Sequence, residues 1–427
     1  MVMITNKIFN DTETAFKLKS TEELNRALYL FEMINRPDLV KIGIFLTKKA
    51  LKFRLPVEGL IKSTVFNQFS GGESMEDCMP VIEKMHAKKL HSVLDYSVEG
   101  KEEEAQFDDA SKKKISIIEF AAKKKELPFA VFKPTGIGRF AIWEKVTSKV
   151  SLTKEDQEEW QRVVQRVEDI CEAAYQNDIA VMADGEETWM QEAADDLIVK
   201  MMKKYNREKA IVFMTLQCYR WDRLDYLIKL HETGEKEGFK IGVKIVRGAY
   251  YEQENLRAKK MNYPSPICEN KEATDVSFNG VLTYCLAHID AISVFIGSHN
   301  EMSNYLALQI MEDKNIDMDD PRVWFGQLYG MSDHISFNLA KLNYNAAKLV
   351  PFGPVRDVVP YLMRRAEENT SVKGQTGREL ALLQEERKRR KGETTKANRE
   401  KGIWRKKTAF REKSLSQLKR PSPEKVE

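Results

Sequence analysis

Eight short β-prone runs recur along the chain between residues 91 and 353, and each is followed by a stretch of helical periodicity. They are "HSVLDYSVE" (91–99), "FAVFKPT" (129–135), "IAVMADGEE" (179–187) and "AIVFMTLQCY" (210–219). The series continues with "KIGVKIVRGAY" (240–250), "AISVFIGSHN" (291–300), "RVWFGQLYGM" (322–331) and "AAKLVPFG" (346–353). Between them, segments such as "TKEDQEEWQRVVQRVEDICEAAYQ" (153–176) and "ATDVSFNGVLTYCLAHI" (273–289) carry the intervals of an amphipathic helix. The strand runs are near-continuously apolar rather than alternating, as burial of both faces in a parallel sheet requires. Eight β-then-α units predict a (β/α)8 barrel, with a doubly wound open sheet as the rival.

The flanks differ in texture. Residues 1–90 read as a helical arm, in which "STEELNRALYLFEMI" opens with a capping-box pattern from Ser20 to Glu23. At the other end, residues 381–427 hold 16 Lys and Arg against 7 Asp and Glu, a net +9. The whole chain carries +4, so residues 1–380 sum to −5. The expected organisation is an arm over 1–90, a barrel over 91–375, and a basic, disordered tail over 376–427.

Composition narrows the class. A chain of 427 residues, 42% hydrophobic and 31% charged, has the balance of a soluble globular protein, and no apolar run approaches a membrane span. The N-terminus lacks the apolar centre of a signal peptide, and Asp11 and Glu13 argue against a transit peptide. Five cysteines without CxxC spacing read as free thiols in a reducing cytoplasm. Six histidines form neither HExxH nor any other ligand spacing, so no metal site is expected. The basic tail could meet an anionic membrane surface or nucleic acid.

Most strand runs end in chemistry: Lys133, Asp184 with Glu186 and Glu187, Gln217, Arg247 with Tyr250, Ser298-His299-Asn300, and Gln327. In a (β/α)8 barrel these ends share one mouth, where active sites are built. Other motifs carry less. "GIGRFA" (136–141) mimics a dinucleotide fingerprint but follows the second run, with no acidic strand end about 20 positions on. No phosphate loop and no nucleophile elbow occur. Asp95 and Glu99 could pair as acid and base, although carboxylates at this spacing are frequent on any surface. His299 could act as a base or simply hydrogen-bond in place.

The late segment "PYLMRRAEEN" (360–369) sets Tyr361, Arg364, Arg365 and Glu368 on one helical face, opposite Val355, Val359, Leu362 and Ala366. Periodicity alone makes that polar face an ordinary solvated surface. With "VKIVRGAY", "GSHN" and "FGQLYGM", however, the segment "VPYLMRRAEEN" resembles the proline dehydrogenase family, in order and spacing, over roughly residues 90–375.

The resemblance implies a distorted barrel with FAD across its C-terminal mouth and the eighth helix moved over that mouth. Arg364 and Arg365 would then bind the carboxylate of proline, with Lys133 adding charge and Asp184 orienting the cations. Tyr250 and Tyr361 would wall the pyrrolidine ring, presenting C5–H to the flavin N5. For the cofactor, the family implies contacts from Gln217 and Lys244, from Arg247 with Val246 and Gly248 at the pyrophosphate, and from Lys271 and Thr274. Ser298, His299, Asn300, Gln327 and Glu368 complete that shell. Many relatives carry tyrosine where this chain has Leu349 and Phe352, so Leu349 is the candidate specificity position, and hydroxyproline the alternative substrate. Lys244 stands where many bacterial members have arginine.

The implied reaction is oxidation of L-proline to Δ1-pyrroline-5-carboxylate, the first step of proline breakdown toward glutamate, with electrons passed to a membrane quinone. The expected location is cytoplasmic, with peripheral association at the inner face of the membrane through the tail, where Trp404 and Phe410 lie. The sequence contains no aldehyde dehydrogenase region, so a separate pyrroline-5-carboxylate dehydrogenase is expected. A non-catalytic barrel whose tail binds nucleic acid is the remote alternative, and metal is expected nowhere.

Overall fold

The structure, a computed structural model, describes residues 7–53, 56–97, 103–371 and 377–395. Within these, side chains are described except at 37, 48, 51, 52 and 365–371. Eight parallel strands close into a barrel in sequence order. They are β1 (His91–Tyr96), β2 (Phe129–Phe132), β3 (Ala180–Ala183) and β4 (Val212–Gln217), then β5 (Ile241–Val246), β6 (Ile292–Gly297), β7 (Val323–Leu328) and β8 (Ala346–Phe352). Each falls inside its expected run. Closure between β1 and β8, in register from His91 with Ala347 to Tyr96 with Phe352, removes the open-sheet rival.

The sheet edge disappears because both strand faces are apolar and need cover. All six residues of β4 are buried. Inside the barrel, Val93, Phe129, Val131, Met182, Phe213, Phe295 and Ala347 form a plug. The Phe129 ring meets those of Phe213, Phe295 and Trp324 edge-on, with centroids 5.7, 5.2 and 5.1 Å away. Gly326 in β7 is needed there, because a Cβ on it would stand 2.1 Å from the Phe295 ring. Outside, helices such as Lys154–Gln176 turn one stripe inward: Val163, Val167, Ile170, Cys171 and Ala174 are buried. That helix starts where Thr153 and Asp156 exchange capping hydrogen bonds.

The eighth helix, Val355–Ser371, leaves the barrel wall. It packs on the arm helices Thr21–Ile34, Pro37–Lys52 and Glu58–Ile61. The vacated place beside β1 and β8 is filled by the arm helix Met75–His86. Backbone bonds lock the exchange: Gly71 N donates to Pro351 O at 2.9 Å, and Gly353 N to Gly72 O at 3.2 Å. The Ser20–Glu23 capping box expected in the arm is present.

Residues 377–395 depart from the expected disordered tail and form a helix. Leu382 and Leu383 are buried against the arm. The charged residues around them have partners: Glu386 accepts from Thr12 Oγ1 at 3.1 Å, and Arg390 donates to the Phe16 and Lys19 carbonyls, each at 2.9 Å. Composition registers the charge excess but not these long-range acceptors. Residues 396–427, with Trp404 and Phe410, lie outside the described residues.

Candidate active site at the barrel mouth

The C-terminal strand ends and the displaced helix converge on one opening. At its base Lys244, buried on β5, is ion-paired with Asp184 just past β3. Gln217 at the end of β4 donates from Nε2 to Glu186 O at 2.6 Å, and its Oε1 accepts from Ala249 N at 3.4 Å. Glu186 is buried and accepts from Thr135 N and Oγ1 at 2.9 and 2.6 Å, tying the loop after β2 to the loop after β3. Burial raises the Glu186 pKa against the opposing charge of Lys133.

Tyr250 follows β5. Burial holds its phenol pKa well above 10, Glu186 and Glu187 push the same way, and Arg364 opposes them from the displaced helix. Asp184 also acts on it. Residues 133, 184, 250 and 364, expected to serve the substrate, thus share one electrostatic neighbourhood. Tyr361 is 6% exposed, packed among apolar residues that include Phe66, Phe69 and Met331, so its side is not a solvated surface. Leu349 turns into the barrel with the interior cluster. Arg365 and Glu368 belong to the same helix, but their side chains lie outside the described residues.

The expected cofactor residues form a second group at the ends of β5 and β6. Arg247 donates from Nε to Asp275 Oδ1 at 2.7 Å, from Nη1 to Ser298 Oγ at 3.0 Å and from Nη2 to Ser303 Oγ at 2.9 Å. Its guanidinium also lies 4.5 Å from the Phe278 ring centroid. Val246 ends β5, and Gly248 follows at φ +131°, a conformation that side chains resist. Thr274 is buried in the first turn of helix Lys271–Ala287 and donates to Asn270 O at 3.1 Å. Lys271 is exposed and donates to Asp275 Oδ2 at 2.7 Å, an ordinary surface pair at i, i+4.

Ser298 closes β6, and Asn300 caps helix Glu301–Asp313 by accepting from Ser303 N at 3.1 Å. His299 Nδ1 lies 2.9 Å from Ser332 Oγ. Gln327 is buried on β7, donating to Ser298 O at 3.0 Å and accepting from Ser336 Oγ at 2.6 Å.

Glu187, which the sequence marked as strand-end chemistry without a role, has its pKa pushed up to about 7 by burial, with Glu186 and Glu254 adding to it. Other participants escaped the sequence reading. Asp275 holds both Arg247 and Lys271, and its i+4 spacing from Lys271 was a usable signal. Ser332 and Glu379 support His299 from far along the chain, which no local pattern encodes.

Fold and mouth define a (β/α)8 enzyme with cationic and tyrosyl side chains gathered at its C-terminal opening. The sequence model of the family described as "Proline dehydrogenase" matches residues 78–378. A protein of Pectobacterium carotovorum subsp. carotovorum, "Carbapenem antibiotics biosynthesis protein CarD", is 35% identical over 82% of this chain and 90% of its own length. "Proline dehydrogenase 1, mitochondrial" of Dictyostelium discoideum is 30% identical over 90% of this chain and 75% of its own. Among solved structures, proline utilization A from Bdellovibrio bacteriovorus superposes with a TM-score of 0.65 at 21% identity. That match covers 86% of this chain and 37% of the other, a likeness of fold. The chain belongs to the proline dehydrogenase family, as its four motifs led us to expect.

Proposed function

We propose that this protein oxidises L-proline to Δ1-pyrroline-5-carboxylate, using FAD as the hydride acceptor and a membrane quinone as the final electron acceptor. The observation that supports this most is the electrostatic coupling of Tyr250 to Arg364, Asp184 and Glu186, and of Glu186 to Lys133, which joins the ends of β2, β3 and β5 to the displaced helix. A guanidinium presents a planar fork of donors that matches a carboxylate. Arg364, with Arg365 next to it, takes the amino acid's carboxylate, and Lys133 adds a point charge. Asp184 holds Lys244 in place. Tyr250 stays protonated, and its ring and that of Tyr361 flank the pyrrolidine.

The residues present suit a dinucleotide. Arg247 is fixed by three partners next to Gly248, a turn that only glycine can make because its φ is +131° and the Tyr219 ring lies where a side chain would go. Lys271, Thr274, Ser298, His299, Asn300, Gln327 and Glu368 belong to the same cradle, Lys271 at its exposed rim. Gln217 and Lys244 lie toward the flavin end. When bound, FAD supplies the electron sink for a hydride from the ring C5. The protein's part is placement and exclusion of water, with the displaced helix as cover.

In this reading residues 1–90 and 377–395 brace a catalytic barrel over 91–375. The protein works in the cytoplasm against the inner face of a membrane, and a pyrroline-5-carboxylate dehydrogenase takes the product. The name of the Pectobacterium relative leaves this chemistry untouched, because the mouth addresses the amino acid whatever pathway uses the imine. Leu349 is the specificity position, and trans-4-hydroxy-L-proline the competing substrate.

The test is an anaerobic visible spectrum of the purified protein before and after each imino acid. Flavin absorbance bleached by L-proline supports the reading. Bleaching by hydroxyproline alone transfers it to that substrate, and protein that stays colourless after added FAD refutes it.

A further inference from the structure

The arm helix Pro37–Lys52 carries two apolar stripes, and the fold uses one. Val40, Ile44 and Thr47 face inward, where with Leu362 and Met363 they line an apolar cavity of about 180 Å3 beneath the displaced barrel helix. On the other side Ile42, Phe45, Leu46 and Phe53 are 56%, 56%, 58% and 69% exposed. Positions 42, 45, 46, 49 and 53 fall on one helical stripe, and Lys49 Nζ stands 4.6 Å from the Phe45 ring centroid. Leaving that stripe in water forfeits the stabilisation that burial would bring.

Charge selects the partner. Residues 36–53 hold five Lys and Arg against the single Asp38, a net +4 in a body (1–380) that sums to −5. Lys41 and Lys49 are exposed. A second copy of the chain would, in a two-fold interface, set this cationic stretch against itself. We propose that the outer face of helix Pro37–Lys52 docks on an anionic lipid bilayer, with Ile42, Phe45, Leu46 and Phe53 at headgroup depth and the lysines on lipid phosphates. The contact adjoins the helix that covers the mouth, and so places the barrel opening near the phase in which a quinone dissolves. It extends the reaction proposed above, but it rests on the surface itself and is tested without that reaction.

The experiment is flotation of the full chain with phosphatidylglycerol/phosphatidylethanolamine vesicles and with phosphatidylcholine vesicles, together with light scattering. We expect binding to the anionic vesicles, weakened more than about tenfold by the double variant Ile42→Glu/Phe45→Glu at an unchanged melting temperature. Lys41→Gln and Lys49→Gln should each cost about fivefold and flatten the salt dependence. The tail variant Arg405→Gln/Lys406→Gln/Lys407→Gln should bind normally. Absent wild-type binding, full binding by the double variant, or loss on changing the tail alone each overturns the proposal. A dimer that the double variant splits, without vesicle binding, assigns the face to a second copy.

Discussion

The carboxylate of Glu379 accepts a hydrogen bond from the backbone N–H of Ser332 at 3.0 Å, across 47 positions of sequence and fully inside the protein. Ser332 stands at φ +52°, and its hydroxyl lies 2.9 Å from His299 Nδ1. Glu379 thus holds the backbone of the residue that faces His299, and we expect it to act as a positioning residue. Replacing it with alanine strands a buried donor, and we expect a loss of about 1–3 kcal/mol. Glutamine, which keeps an acceptor, should restore most of it. Thermal melting with the flavin-to-protein absorbance ratio reads both effects, and an equal loss in the two variants would assign the role to the carboxylate's charge beside His334 instead of to the Ser332 hydrogen bond.

Lys244 and Asp184 form an ion pair at the floor of the mouth, with the lysine buried. Asp184→Ala would leave the ammonium without its partner, at a cost of about 3–5 kcal/mol. The double variant Asp184→Leu/Lys244→Met should recover much of that stability while remaining inactive. Chemical denaturation alongside turnover separates the two outcomes.

A Cβ on Gly248 would stand 2.4 Å from the Tyr219 ring, at a φ of +131° that a side chain resists. Gly248→Ala should cost at least about 2 kcal/mol through strain and clash together. The variant should purify with little flavin, since this turn adjoins Arg247. Normal flavin content would remove the turn from the cofactor site.

Arg364→Lys keeps the charge but loses the planar fork. We expect KM for proline to rise by about tenfold with kcat changed less, and Arg364→Ala to raise it further. An unchanged KM would place the carboxylate elsewhere.

Glu187 titrates near 7 rather than at its ordinary 4.5, because burial and the neighbouring Glu186 and Glu254 disfavour its charge. Between those values the folded state holds more proton than the unfolded one, so stability falls as pH rises from about 4.5 to about 7. Glu187→Gln cannot ionise and should be steadier at pH 7 by on the order of 2 kcal/mol, with no gain at pH 4.5. Melting temperatures of both proteins across that window test the sign.

Local pattern by itself determined the alternating β/α order: continuous apolar runs such as "VFMTLQ" need cover on both faces, and each helix writes its own start, as Thr153 and Asp156 do. It left an open sheet as the rival, which only the pairing of β8 with β1 removed. It also placed Lys133, Asp184, Gln217 and Arg247 at one end of the barrel, because parallel strands send their C-terminal ends to a common side. The cover of the mouth was legible by resemblance to a family, since helical periodicity alone makes Tyr361 and Arg364 a solvated face.

Tertiary structure decided the rest. Which residue holds which is fixed by contacts between distant segments: Asp184 with Lys244, Arg247 with Ser303, Glu379 with Ser332. Contacts of the same kind accompany the helix that residues 377–395 form in place of the expected tail. A basic composition describes a solvated chain until a particular carbonyl or hydroxyl, here Phe16 O, Lys19 O and Thr12 Oγ1, stands within hydrogen-bonding distance. Such partners exist only after the arm has folded around the barrel, because hydrogen bonds and ion pairs act over a few ångströms of space and take no account of separation along the chain.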